Sequence, residues 1–230
     1  MHARFNVRSV KAFIQHVDVG DYFVEGVLEA YSCKLAGVDK KLSRSLDQEV
    51  QEVASFSPPG VLSNSPVGPL TEAASRRTLI YLILTLNHIY PDYDFSLLRA
   101  HNFSKEDGVD AVQDNVDTLL IEASKLWKEE QGKGRADLVA SLWAVINEVI
   151  SIYDCDIYSY NPNESDPFGE DGHIWSFNYF FYNKKLKRIL YFSAKAKARS
   201  AASTVDEEEA YNTYEDIDDE YKVFDAMDDI

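Results

Sequence analysis

Over residues 174–182 every second position is a large ring: Trp175, Phe177, Tyr179 and Phe181. Period-two alternation of this kind marks a strand with one face turned to a core. A second apolar run, residues 186–193, follows after Asn183-Lys184-Lys185, a length suited to a hairpin. Residues 156–160 read as a further strand. Residues 22–33 read as an early one, with Tyr22, Val24, Leu28 and Ala30 on one face and Glu25 and Glu29 on the other.

Between the early and late strands the periodicity is helical. Val10, Phe13, Ile14 and Val17 predict a short N-terminal helix, and Leu42, Leu46, Val50 and Val53 an amphipathic one over 39–54. Leu79, Leu82, Ile83 and Leu86 predict a third, capped by Thr71 and stopped by Pro91. Ser104 with Asp107 reads as a capping-box variant. It would open a helix whose stripe, Val109, Val112, Val116, Leu119, Ala123 and Leu126, runs unbroken to Gly132. A last helix over 135–152 buries Leu138, Leu142, Val145, Ile146 and Val149. Pairing the early strand with the late ones gives one α+β domain, a mostly antiparallel central sheet with helices against one face.

The chain of 230 residues has a net charge of −16, unevenly placed. Residues 203–230 hold twelve acidic residues against one Lys, a net of −11, which leaves −5 for residues 1–202. The expected organisation is a globular body over 1–202 and a disordered acidic tail over 203–230. Pro58, Pro59, Pro66 and Pro69 mark a mobile loop at about 55–70. Such a charge balance opposes nonspecific binding to nucleic acid or an anionic membrane. It favours a basic protein partner, or a basic patch on the body that the tail covers. Met1-His2-Ala3-Arg4-Phe5 opens no apolar signal segment, and Cys33 and Cys155 lie outside any metal-like spacing. The expected setting is a reducing intracellular one, with a single Cys33–Cys155 disulfide as the alternative.

Catalytic and cofactor motifs are missing: no HExxH, GxSxG, P-loop or Rossmann glycine set. The five histidines share no metal-ligand spacing. Residues 161–172 are rich in oxygen ligands, but Asp166 and Gly172 stand where a calcium loop needs Gly and Glu, so a polar connection accounts for them better. Asp92 and Asp94 flank Tyr93, and paired carboxylates do acid–base work only in a pocket that raises one pKa. A contact surface is the plainer reading. The aromatic strand beside Lys184, Lys185, Lys187 and Arg188 has the composition of a base-stacking sheet, against the simpler reading that its rings pack the helices. The four cations form a nuclear-import-like patch or the solvated tip of a hairpin. Ser57-Pro58 and Ser65-Pro66 suit proline-directed kinases, and Ser45 follows basic residues.

Three blocks resemble the Maf-one family of eukaryotic repressors of RNA polymerase III transcription. The first is Gly26-Val27-Leu28-Glu29-Ala30-Tyr31-Ser32-Cys33-Lys34-Leu35-Ala36-Gly37, and the second Pro91-Asp92-Tyr93-Asp94-Phe95-Ser96. The third joins Cys155-Asp156-Ile157-Tyr158-Ser159-Tyr160-Asn161-Pro162, Ser165-Asp166-Pro167-Phe168-Gly169-Glu170-Asp171-Gly172 and residues 175–188. The resemblance implies a regulator without enzymatic activity, metal or cofactor. It would bind RNA polymerase III and hinder recruitment by initiation factor IIIB, through that factor's TFIIB-related subunit. Nutrient-responsive kinases and a phosphatase would control it and move it between nucleus and cytoplasm. No specific DNA binding and no membrane are expected. The implied phosphorylation region falls on Ser57 and Ser65, while Ser45 rests on spacing alone. Partner-binding candidates are Lys34, Asp92, Tyr93 and Asp94, with Glu215, Asp216, Asp218 and Asp219 in the tail. The alternative is an RNA-binding module using residues 174–182 and the basic hairpin.

Overall fold

The structure is a computed structural model that describes residues 7–35, 37–56, 65–131, 136–162 and 173–199. Six strands, β1 (Val17–Asp18), β2 (Tyr22–Ser32), β3 (Phe103–Lys105), β4 (Asp156–Tyr160), β5 (His173–Asn183) and β6 (Arg188–Ala198), form one sheet. Their spatial order is β1-β2-β6-β5-β4-β3, and every neighbouring pair is antiparallel. The aromatic hairpin sits at its centre. Early and late chain meet there, because β2 pairs with β6 from Tyr22↔Ala198 to Ser32↔Arg188.

The helices are α1 (Val7–Gln15), α2 (Gly37–Phe56), α3 (Ala73–Ile89), α4 (Val109–Leu119), α5 (Ile121–Gln131) and α6 (Leu138–Ile150). They cover both faces of the sheet rather than one. Phe177, Phe181, Leu190 and Phe192 face a core shared with α1, α4, α5 and α6. Phe180, Tyr182, Ile189 and Tyr191 face a second core shared with α2 and α3. Both parities of the hairpin are apolar, so exposing either face would leave large rings in water.

Several local expectations give way to tertiary packing. Val17 leaves the helical stripe to pair with Val24 in β1. Glu72, not Thr71, precedes α3, and no side chain caps it. Ser104 opens no helix: buried Phe103 anchors β3, and Ser104 pairs with Ser159. Gly108 precedes α4 instead. The long helix is divided at Leu120, where φ is −93° and ψ 11°. Its most buried positions are Val112, Val116, Leu120, Ala123 and Trp127, with Leu119 and Leu126 half-buried against the same core. The hairpin turn is Lys184-Lys185-Leu186-Lys187, one residue longer than expected and bounded by the Asn183↔Arg188 pair. Within the expected mobile loop, residues 65–70 are seated on the body, with Val67 buried and Leu70 packed beside it. Residues 57–64 and the tail lie outside the described residues.

Candidate functional site

Two surface features gather six of the ten candidate residues that the structure describes. The first is the turn after α3. The Tyr90 N–H still donates to Leu86 O at 2.9 Å, and Pro91 then stops the helix. Asn87 Oδ1 accepts the Phe95 N–H at 2.9 Å, and buried Phe95 sets its ring edge-on to Tyr160 at 6.2 Å. Anchored at that point, the turn holds Asp92, Tyr93 and Asp94 outward. Tyr93 is 40% exposed and nearby Leu97 76%. An apolar side chain, a phenol and two carboxylates on one rigid projection suit contact with a protein surface. The Ser96 hydroxyl and N–H hold the Asp94 carboxyl below its ordinary range. That is opposite to the raised pKa a general acid needs, so the acid–base reading finds no support at Asp94.

The second feature is a cationic pocket of about 480 Å³. Lys34 beyond the end of β2, Arg77 on α3, and Lys184 and Lys187 from the hairpin turn all line it. Sequence order separates these residues widely, and the sheet joins them, because β2 and β6 are neighbours. The turn is fastened at its base by buried Asn183. Its Nδ2 donates to Ile150 O at 2.9 Å, and its Oδ1 accepts the Leu186 N–H at 2.9 Å. Three of the hairpin cations also have partners outside the pocket. Lys184 pairs with Asp156 at 2.7 Å, Lys185 with Asp154 at 3.1 Å, and Arg188 Nη1 donates to Val149 O at 2.8 Å. Burial pushes the Asp156 carboxyl up, but Lys184 and Lys105 override it and hold it low.

A groove of about 630 Å³ lies against β2 and β6, with Pro91 at the start of the turn among its lining residues. Glu29 accepts from Lys11 at 2.9 Å and from the Tyr31 hydroxyl at 2.8 Å. The Tyr31 ring stacks on His88, which reaches Asp39 at 3.2 Å. Arg77, Tyr31, His88 and Leu97 were not anticipated. The Arg76-Arg77 pair at the head of a helix was the available signal for Arg77, whereas Tyr31 and His88 acquire significance only once α3 lies across β2.

The RNA-stacking reading is corrected by burial. Phe177, Tyr179 and Phe181 lie in the core, and Trp175 stacks on Phe177 at 6.2 Å, so this strand has no open platform for bases. Ser45 is exposed on α2. Ser65 is half-buried, and its Oγ accepts the Val67 N–H at 3.4 Å. Ser57, Glu215, Asp216, Asp218 and Asp219 lie outside the described residues.

Cys33 and Cys155 are free thiols. Burial pushes Cys33 from 9.0 up to about 11, and burial with Asp154 and Asp156 pushes Cys155 up to about 12. Burial also lifts Tyr182 from 10.0 to about 12. Each acid keeps its proton longer folded than unfolded, so its stabilisation is complete below about pH 9 and lost as pH rises toward 12. The midpoint of denaturant unfolding should therefore fall steadily above pH 9. A midpoint constant to pH 11 would show that these groups titrate alike in both states.

A sheet covered on both faces, with a projecting charged turn and a cationic rim, defines an α+β protein whose distinctive chemistry lies at its surface. The family model described as Maf1 regulator matches residues 24–193. The chain belongs to that family. A Dictyostelium discoideum protein named repressor of RNA polymerase III transcription is 34% identical, over 81% of this chain and 80% of its own. The Schizosaccharomyces pombe repressor of RNA polymerase III transcription is 40% identical, over 76% and 74%. A citrus MAF1 crystal structure superposes with a TM-score of 0.70 at 39% identity, covering 84% of this chain and all of that one.

Proposed function

We propose that this chain represses RNA polymerase III transcription by binding the polymerase and hindering its recruitment by initiation factor IIIB. The observation that carries this reading is the turn of residues 91–97, which displays Asp92, Tyr93, Asp94 and Leu97 to solvent on a buried Phe95 anchor. The names of the relatives supply the process, and the turn supplies a contact surface. Phosphorylation at Ser45, Ser57 or Ser65 adds charge near α2 and α3 and weakens docking or nuclear residence. The acidic tail, with Glu215, Asp216, Asp218 and Asp219, adds attraction to a basic patch on the partner. In this reading the protein moves between nucleus and cytoplasm with its phosphorylation state.

Pull-down of purified RNA polymerase III by the dephosphorylated full chain tests it. Direct binding is expected, with the triple variant Asp92→Ala/Tyr93→Ala/Asp94→Ala weaker by roughly thirtyfold, the loss of one interface hot spot. Equal binding by variant and wild type would remove the turn from the interface. No binding by either would remove the polymerase reading itself.

A further inference from the structure

We propose that the pocket formed by Lys34, Arg77, Lys184 and Lys187 is a binding site for a phosphate dianion. Four cations from three separate parts of the fold converge there, and no carboxylate is among the residues that line it. In a chain with 39 acidic residues against 23 basic ones, average composition does not produce such a pocket. Among the described residues, neither Lys34 nor Lys187 makes an ion pair with a carboxylate. Lys184 is balanced by Asp156 at 2.7 Å, which leaves Lys34, Arg77 and Lys187 as the cations without a counter-charge among the described residues. Cations so placed repel one another, and a bound anion relieves that repulsion.

The pocket is also held in shape before any ligand arrives. Lys187 occupies the left-handed region at φ 51°, a conformation that favours glycine. Its carbonyl accepts the Cys33 N–H at 2.9 Å, which locks the turn to the end of β2 beside Lys34. Asn183 fixes the other end of the turn. Arg77 is steadied by its Nε bond to Ala73 O at 3.1 Å. Tyr81 adds a phenol to the wall, and burial raises its pKa, so it remains a hydrogen-bond donor. Four donors on one compact cavity match the three oxygens and double charge of a phosphate better than a string of separate carboxylates, which needs cations spread along a track. A free phosphate and a phosphorylated side chain present the same group. Phosphate uptake is measured on the isolated chain, so its test does not require polymerase docking.

Titration calorimetry on the full chain at constant ionic strength tests the site. The probes are inorganic phosphate and peptides of residues 53–69, unmodified or phosphorylated at Ser57 or Ser65. Saturable 1:1 uptake of phosphate or a phosphopeptide is expected, with no heat from the unmodified peptide. Lys34→Gln and Arg77→Gln, both at exposed positions, should each lower affinity at least tenfold. Lys34→Arg should stay within threefold, and Lys125→Gln on α5 should change nothing. A phosphopeptide binding at least tenfold more tightly than phosphate assigns the ligand to a phosphorylated side chain, and equal affinities assign it to a small phosphate. Either supports the site. Absence of saturable uptake, or uptake unchanged in Arg77→Gln, would overturn it. So would an unstructured RNA oligonucleotide that binds more tightly than every phosphate probe.

Discussion

Replacing Asn178 with alanine should lower the free energy of unfolding by roughly 2–4 kcal/mol, because it orphans two buried backbone groups at once. The ladder between β4 and β5 ends at Ser159↔Tyr179, one step short of Tyr160. There β4 pairs with β3 through Phe103↔Tyr160. The Asn178 carboxamide takes the place of the missing backbone partner. Its Oδ1 accepts the Tyr160 N–H at 2.6 Å, and its Nδ2 donates to Tyr160 O at 3.0 Å. The side chain is only 6% exposed, so water does not substitute freely. Because Tyr160 also supports Phe95, the variant should loosen the projecting turn as well as the sheet. Urea unfolding of the full chain measures the first effect. A loss below about 1 kcal/mol would mean that water or a backbone shift replaces the carboxamide.

Gly26→Val should cost about 2–3 kcal/mol for the opposite reason, overcrowding rather than an unmade bond. α1 crosses β2 so closely that a Cβ on Gly26 would lie 2.8 Å from Ile14 O and 3.3 Å from Ile14 Cβ. The first contact is with backbone, which cannot rotate away, so α1 must lift. Lifting it would part Lys11 from Glu29 and expose Val10 and Ile14, both buried. Amide exchange should therefore quicken in α1 before it does in β5 and β6. Uniform exchange, or full stability in the valine variant, would show that the helix packs without need of this glycine.

The aromatic hairpin and the long helices are legible in the sequence because their periodicity persists over many residues. β1 and β3 are not, since two and three residues are too few for any period to show. The second covered face is equally present in the sequence: Phe180 and Tyr182 alternate with Tyr179 and Phe181 and are just as aromatic. Lys34 and the hairpin lysines could be named singly, as could Asp92, Tyr93 and Asp94 through the family blocks. Their grouping could not. Lys34, Arg77, Lys184 and Lys187 become neighbours only through the β2–β6 register and the position of α3, which are long-range outcomes of folding. Caps were the least legible, because Phe103 and the seated residues 65–70 displaced the helix starts that Ser104 and Thr71 suggested.

The most direct measurement is transcription of a transfer-RNA gene by purified RNA polymerase III and its initiation factors, titrated with the dephosphorylated full chain and with Asp92→Ala/Tyr93→Ala/Asp94→Ala. Dose-dependent loss of transcript with the wild type, and little at the same concentrations of the variant, is the expected result. Undiminished transcription with the wild type would contradict repression by this chain, and equal repression by both would contradict docking through the turn.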